Sequence, residues 1–93
     1  MDNLIKNKII DFMQNNQLNF LPGSRNNDSV VLAGYCLHIN RDIDVNAIIN
    51  IIDITAHPTI DISTEFKRVF HYAKCNNYER FWETAECQAK YTY

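Results

Sequence analysis

Cys36 and His38 stand two residues apart and combine residue types that can do chemistry. A thiol beside an imidazole is the arrangement of a nucleophile with its general base. On a β-strand, residues two apart point to the same face. Buried cysteines without any reactivity are common, and catalytic pairs usually meet through the fold. The pattern therefore favours a small core cysteine and a partly buried histidine over a catalytic pair.

A second group that could do chemistry consists of His71, Cys75 and Cys87, which could bind zinc. His71 and Cys75 are four apart, so on a helix they share a face. Cys87 could approach them if the C-terminal segment folds back. The sequence has no CxxC and no second histidine at metal spacing, and on one straight helix Cys75 and Cys87 would be about 18 Å apart. We therefore predict no metal site and no cofactor.

Residues 40–46 place polar oxygens at alternate positions, as a calcium-binding loop does. Val45 stands where such a loop has its glycine, and Ile51 stands where it has its closing glutamate. We interpret this stretch as a turn followed by a helix cap. The sequence has no P-loop, no GxGxxG and no HExxH, and its two glycines cannot form a glycine-rich phosphate cradle. No motif recommends an enzyme.

Aromatic side chains are concentrated in the C-terminal third of the chain. Adjacent helical residues point about 100° apart, so Phe81 and Trp82 cannot both face one narrow core stripe. Tyr72 likewise lies off the face that Phe66 and Phe70 share. Aromatic side chains with polar groups are enriched at interfaces, although a small protein also fills its core with them. The two interpretations have equal weight.

Charge changes sign along the same part of the chain, which is basic around positions 67–74 and acidic around positions 79–86. If the two segments pack antiparallel, within or between chains, these charges could complement each other. Basic residues beside tyrosine could instead bind a nucleotide or RNA, and a solvated face is the more common explanation of such charges. The predicted interface or binding residues are Tyr72, Tyr78, Trp82, Tyr91, Tyr93, Lys67, Arg68 and Lys74.

Capping residues and the spacing of apolar residues indicate the helices that should position these side chains. Asp2 or Asn3 can cap a first helix that ends near Asn15. Asp44 can cap a second helix that runs to about Asp53. A strand is the alternative there, because isoleucine-rich runs are ambiguous.

A third helix is predicted after a cap at Ser63 or Thr64. It can end at Asn76-Asn77, where Asn77 could cap a fourth helix. The helical phase continues across the asparagine pair, so one long helix from about Thr64 to about Lys90 is the alternative.

Two or three short strands are predicted between these helices. Val30–Ile39 has β-favouring residues and two apolar faces, which is typical of a strand covered on both sides. Leu18–Leu21 could pair with it as an antiparallel hairpin, and Thr59–Ile62 could form a third strand. The turn-forming stretch Pro22–Ser29 is the predicted loop of that hairpin. The expected fold is α+β, with a small antiparallel sheet, an N-terminal helix and a helical C-terminal half.

Composition narrows the function classes. The 93 residues suit one domain spanning 1–93, and 46% hydrophobic with 22% charged residues is ordinary for a globular protein. A net charge of −2 is too balanced for a DNA-binding footprint or for an acidic DNA mimic. Three cysteines at uneven spacing suit free thiols. Without a signal sequence or a membrane span, we predict a cytoplasmic protein with no membrane partner.

The function predicted from the sequence is that of a small non-catalytic binding protein acting stoichiometrically on a macromolecular partner, most simply a protein. Abundant asparagine and isoleucine suggest an AT-rich coding sequence and a phage or mobile-element inhibitor of a host defence system. A homodimer is expected, since a domain this small gains burial by association. The alternatives are a nucleotide-sequestering protein and, with least support, a thiol- or metal-dependent enzyme.

Overall fold

The structure, a computed structural model, describes residues 2–83 as four α-helices followed by one 3₁₀ helix. These residues contain no β-strand, so the predicted α+β fold with its small antiparallel sheet is wrong. No helix in this part of the chain is both long and apolar enough to cross a membrane. The helices are α1 (Asn3–Asn15), α2 (Arg25–Ile39), α3 (Val45–Ala56), α4 (Ser63–Cys75) and the 3₁₀ helix Tyr78–Glu83.

The predicted strand Val30–Ile39 forms most of α2. Residues 31–37 are all buried, because α1, α4 and the 3₁₀ helix pack around this helix. A helix that is apolar all round is typical of a central position and shows no separate stripe. Periodicity alone cannot distinguish such a run from a strand covered on both faces. The sequence of this segment therefore fits a buried helix and a buried strand equally well.

The predicted loop residues Arg25–Ser29 form the beginning of α2, and Asp28 fixes the chain that precedes them. Asp28 is only 5% exposed, and its Oδ2 accepts hydrogen bonds from the Phe20 N–H at 3.0 Å and the Ser24 hydroxyl at 3.3 Å. Phe20 has a φ of 55°, a left-handed conformation that bulky residues rarely adopt. Leu18–Leu21 is therefore a loop held by a carboxylate, with Leu18 and Phe20 buried and Leu21 exposed, and the strand prediction there is wrong.

The helix predicted after Asp44 is confirmed. Asp44 Oδ1 accepts the Asn46 N–H at 3.1 Å, and α3 continues to Ala56 before His57 adopts a left-handed φ of 48°. The third predicted strand, Thr59–Ile62, is irregular chain between α3 and α4. A strand needs a neighbour to pair its backbone groups, and the segments on either side of this one are helical.

The two ends of α1 also agree with the prediction. Asp2 Oδ1 accepts the Leu4 N–H at 2.8 Å, and the helix ends at Asn15. Ile9, Phe12 and Met13 are buried on its inner face, as their spacing indicates.

The third predicted helix exists as α4, but its cap is a different residue. The N-cap position is Ile62, which makes no side-chain capping bond, and Asp61 Oδ1 one residue earlier accepts the Ser63 N–H at 2.9 Å. Neither Ser63 nor Thr64 is therefore the cap. Hydrogen bonding by Ser63 lowers the pKa of the Asp61 carboxyl. At the other end, Asn77 has a left-handed φ of 55°, which interrupts the helix after Cys75. One continuous helix from Thr64 is therefore excluded.

An aromatic cluster joins the 3₁₀ helix to α1 and α2. Trp82 is 3% exposed and lies against Gly34, where an added Cβ would be 2.6 Å from its Nε1. The Trp82 ring meets Phe12 and Tyr35 edge-on, with centroids 5.2 and 5.7 Å away, while those two rings stack at 3.8 Å. Each such pair contributes about 0.5–1.5 kcal/mol beyond its buried area. The missing side chain at Gly34 makes this packing possible.

Gly34→Ala should destabilise the protein even though alanine has the higher helix propensity. The new methyl group overpacks the Trp82 ring, at a cost of about 1–3 kcal/mol, whereas the propensity gain is at most about 1 kcal/mol. In a Trp82→Ala background the same change should stabilise, because the obstructing ring is gone. Urea unfolding of the four proteins measures this cycle. Stabilisation by Gly34→Ala in both backgrounds would contradict the packing.

Asp28→Ala should lower the free energy of unfolding by about 1–3 kcal/mol, because the buried Phe20 N–H loses its acceptor. Asp53→Ala is the matched control, since Asp53 is exposed on α3 and its truncation should change stability by less than about 0.5 kcal/mol. Thermal unfolding followed by circular dichroism compares the two. Equal effects would mean that Asp28 does not hold the loop.

Candidate functional site

The outward side of α4 brings several predicted interface residues onto one surface, called here the α4 outer face. Positions three and four apart lie on the same side of a helix. The residues of the α4 outer face are all exposed, and they are Thr64, Lys67, Arg68, His71, Tyr72 and Cys75. The opposite side is buried and consists of Phe66, Val69, Phe70 and Ala73, as their spacing indicates. The hydrophobic core therefore fixes which side chains of α4 are presented to solvent.

The α4 outer face is basic. Neither Lys67 nor Arg68 forms an ion pair with any residue in the part of the chain that the structure describes. Asp61, at the start of the helix, lies close enough for the Lys67 charge to contribute to the lowered pKa of its carboxyl. Lys74 is half-buried beside the face rather than on it. Two unpaired cations thus stand next to an exposed tyrosine.

Tyr72 is the aromatic centre of this surface and has a fixed neighbour. It is 58% exposed, and its ring meets the Tyr78 ring edge-on with centroids 5.8 Å apart. Burial raises the pKa of the Tyr78 hydroxyl, and the neighbouring Tyr72 hydroxyl raises it further. The ring contact with Tyr78 helps to orient Tyr72.

A groove of about 200 Å³ runs beside this tyrosine pair, between α2, α4 and the start of the 3₁₀ helix. Three of its lining residues were predicted for the interface from sequence, and two others come from α2, where the sequence indicated a loop and a strand. The lining consists of Asn26, Val30, Arg68, Val69, Tyr72 and Tyr78. The contribution of α2 could not be foreseen without the correct assignment of that helix.

Arg41 holds the turn that positions Tyr78, and sequence reasoning did not single it out. Its Nη2 donates to the Lys74 carbonyl at 2.9 Å, and its Nη1 forms an ion pair with Glu79. A cation at the C-terminal end of a helix also interacts favourably with the helix dipole. Glu79 therefore pairs with Arg41 in the α2–α3 loop. It does not pair with the basic residues of α4, which was the charge complementarity considered from the sequence.

The remaining predicted interface residues are not part of this surface. Trp82 lies in the core beside Gly34, so its side chain is not presented to solvent. Tyr91 and Tyr93 lie outside the described residues, as do Glu86 and Cys87. Among the described residues, the candidates that remain for the predicted interface are therefore those of the α4 outer face together with Tyr78.

The catalytic interpretation of Cys36 and His38 loses its geometric basis. On a helix, residues two apart point about 200° from each other, and Cys36 is fully buried while His38 is exposed. Burial raises the pKa of the Cys36 thiol far above its ordinary range, so it remains protonated. An activated nucleophile requires the opposite shift.

A larger cleft of about 380 Å³ lies between α1 and α2 and bears on the nucleotide-binding alternative. Small-molecule sites typically occupy about 300–1,000 Å³ and are mostly apolar, so this cleft is at the lower limit. Its rim carries Lys8 and His38 but also Asp11, whose carboxylate would repel a phosphate. The tyrosine-lined groove is smaller still, and neither cavity favours a nucleotide.

No metal-binding group of three or more His, Cys, Asp or Glu side chains occurs among the side chains that the structure describes. His71 and Cys75 do meet on the α4 outer face, with Sγ and Nε2 3.7 Å apart. Cys87, the third residue considered from sequence, lies outside the described part.

Comparison with known proteins returned no match, whether to a protein-family model, to a curated protein or to a solved structure.

The two cysteines that the structure describes should differ in reactivity. In a Cys87→Ser variant, iodoacetamide should modify exposed Cys75 within minutes and should leave Cys36 unmodified until the protein unfolds. Because burial raises the Cys36 pKa, Cys36 should remain unmodified in the folded protein even when the pH is raised to about 9. Peptide mass mapping measures both. Rapid native modification of Cys36 would show that α2 is not central.

Proposed function

We propose that this chain is a non-catalytic binding protein whose α4 outer face contacts an acidic surface of a protein partner at fixed stoichiometry. The observation that carries the proposal is the exposed Tyr72 next to two cations, Lys67 and Arg68, which form no ion pair among the described residues, on a helix anchored by its buried side. Tyrosine and arginine are the residue types that most often dominate the binding energy of protein interfaces.

Preorganisation supports this proposal. Binding immobilises side chains, at a cost of about 0.5–1.5 kcal/mol for each flexible one. Tyr72 already rests against Tyr78, and Arg41 fixes the turn between them through Lys74 and Glu79. The aromatic centre of the surface therefore loses little conformational freedom when a partner docks.

The small number of cations on the α4 outer face and the small volume of the groove beside it favour a protein partner over a nucleic acid or a nucleotide. Binding to a nucleic acid backbone takes many lysine and arginine contacts, whereas the α4 outer face offers two and the chain carries a net charge of −2. The groove beside Tyr72 holds about 200 Å³, below the usual range for a small ligand. It suits a single side chain of a protein partner.

The proposal includes a cytoplasmic setting and an inhibitory role for a phage or mobile-element product. An odd number of cysteines suits a reducing compartment. Abundant asparagine and isoleucine suit an AT-rich coding sequence, and a small domain without a catalytic motif suits stoichiometric action.

Substitutions on the α4 outer face should weaken partner binding. Lys67→Glu/Arg68→Glu and Tyr72→Ala should each weaken the complex by about 2 kcal/mol or more, roughly 30-fold in Kd. The control Lys6→Glu/Lys8→Glu makes the same charge change on α1 and should leave Kd within about threefold. Affinity capture from the cognate host followed by titration of the purified partner gives these constants.

Three outcomes would count against this function. The α4 variants could bind the purified partner as tightly as the unaltered protein does, or the captured complex could lack a fixed stoichiometry. Capture that ribonuclease treatment removes would assign the same surface to RNA. Circular dichroism of each variant must match that of the unaltered protein, which the exposure of all three substituted positions leads us to expect.

A further inference from the structure

His71 and Cys75 have the separation that a chelated metal ion requires. Their Nε2 and Sγ atoms are 3.7 Å apart. Zinc binds sulfur at about 2.3 Å and imidazole nitrogen at about 2.0–2.1 Å, and a tetrahedral angle between those bonds separates the two ligand atoms by about 3.6 Å. We propose that His71 and Cys75 form a preorganised half-site for Zn²⁺, completed by the same pair from a second copy of this chain.

The position of the pair on α4 favours a cation. Residues four apart on a helix lie one above the other, so the backbone holds both ligands in place before metal binds. Cys75 lies in the last turn of α4, where the negative end of the helix dipole stabilises positive charge. Both side chains are exposed, so the metal has open access.

A second copy is the source of the other two ligands because no third ligand is in reach among the described side chains. A twofold axis through the metal gives each chain the same role and produces a Cys₂His₂ set, a common structural zinc site. Two cysteine thiols release their protons to solvent, and the two thiolates balance the charge of Zn²⁺. The assembled site is then neutral.

The basic residues of the α4 outer face lie far enough from the metal to leave room for this arrangement. Arg68 lies about 4.5 Å and Lys67 about 6 Å further along the helix axis from His71, toward its N-terminal end. When two α4 helices cross at the metal in opposite directions, the cations of the two chains lie on opposite sides of the crossing. The zinc site lies on the same α4 outer face as the proposed contact with an acidic protein, but it can be tested without that partner, because it consists only of two copies of this chain and the metal.

Titration of the reduced, chelator-treated full chain with Co²⁺, followed by displacement with Zn²⁺, tests the site. We expect the intense visible absorption of tetrahedral cobalt with thiolate charge-transfer bands, and an end point of one metal per two chains. Light scattering should show the mass rising from 10.9 kDa to twice that value on addition of Zn²⁺. His71→Ala and Cys75→Ser should each weaken metal binding at least about tenfold.

Cys87→Ser is the matched control, because it also removes one thiol and should leave the titration unchanged. Loss of binding in Cys87→Ser would overturn the two-copy site in favour of Cys87 as a ligand. A monomer that binds one metal per chain would likewise overturn it. Absence of the cobalt spectrum at high micromolar protein would show that the 3.7 Å contact is only a thiol–imidazole hydrogen bond.

Discussion

The absence of a side chain at Gly34 is the constraint on which the arrangement of the helices depends. Because no Cβ occupies that position, the Trp82 indole can lie directly on the α2 backbone. The indole then closes an aromatic cluster with Phe12 and Tyr35, which links the N-terminal helix to the end of the described chain. α4 lies on the same central helix, so the direction of the α4 outer face follows from the packing around α2.

The parts of the fold that could be predicted from sequence are those in which local chemistry decides the outcome. Asp2 and Asp44 cap their helices through their own side chains, and the one-sided apolar spacing of α1 and α4 survives in the structure. α2 could not be predicted, because a central helix covered on every side has the same apolar pattern as a buried strand. The Asp28 contact with Phe20 depends on two segments meeting in space, which no local pattern signals.

The candidate site could likewise be predicted only where local helical spacing decides which side chains are exposed. Lys67, Arg68 and Tyr72 could be assigned to one surface because helical spacing determines what α4 leaves exposed. Trp82 could not be assigned, since its burial depends on a glycine 48 residues earlier in the chain. Arg41 was missed because its two acceptors, the Lys74 carbonyl and Glu79, come from a distant part of the sequence.

Trp82 is the chain's single tryptophan, and this makes it an intrinsic optical probe of one local event. Its indole is enclosed by Phe12 and Tyr35 on α1 and α2, so its fluorescence reports whether the 3₁₀ helix is seated on the helices beneath it. Far-ultraviolet circular dichroism reports instead on the four α-helices. If the fluorescence curve melts at a lower temperature than the circular dichroism curve, the 3₁₀ helix detaches as a separate cooperative unit before the helical core unfolds.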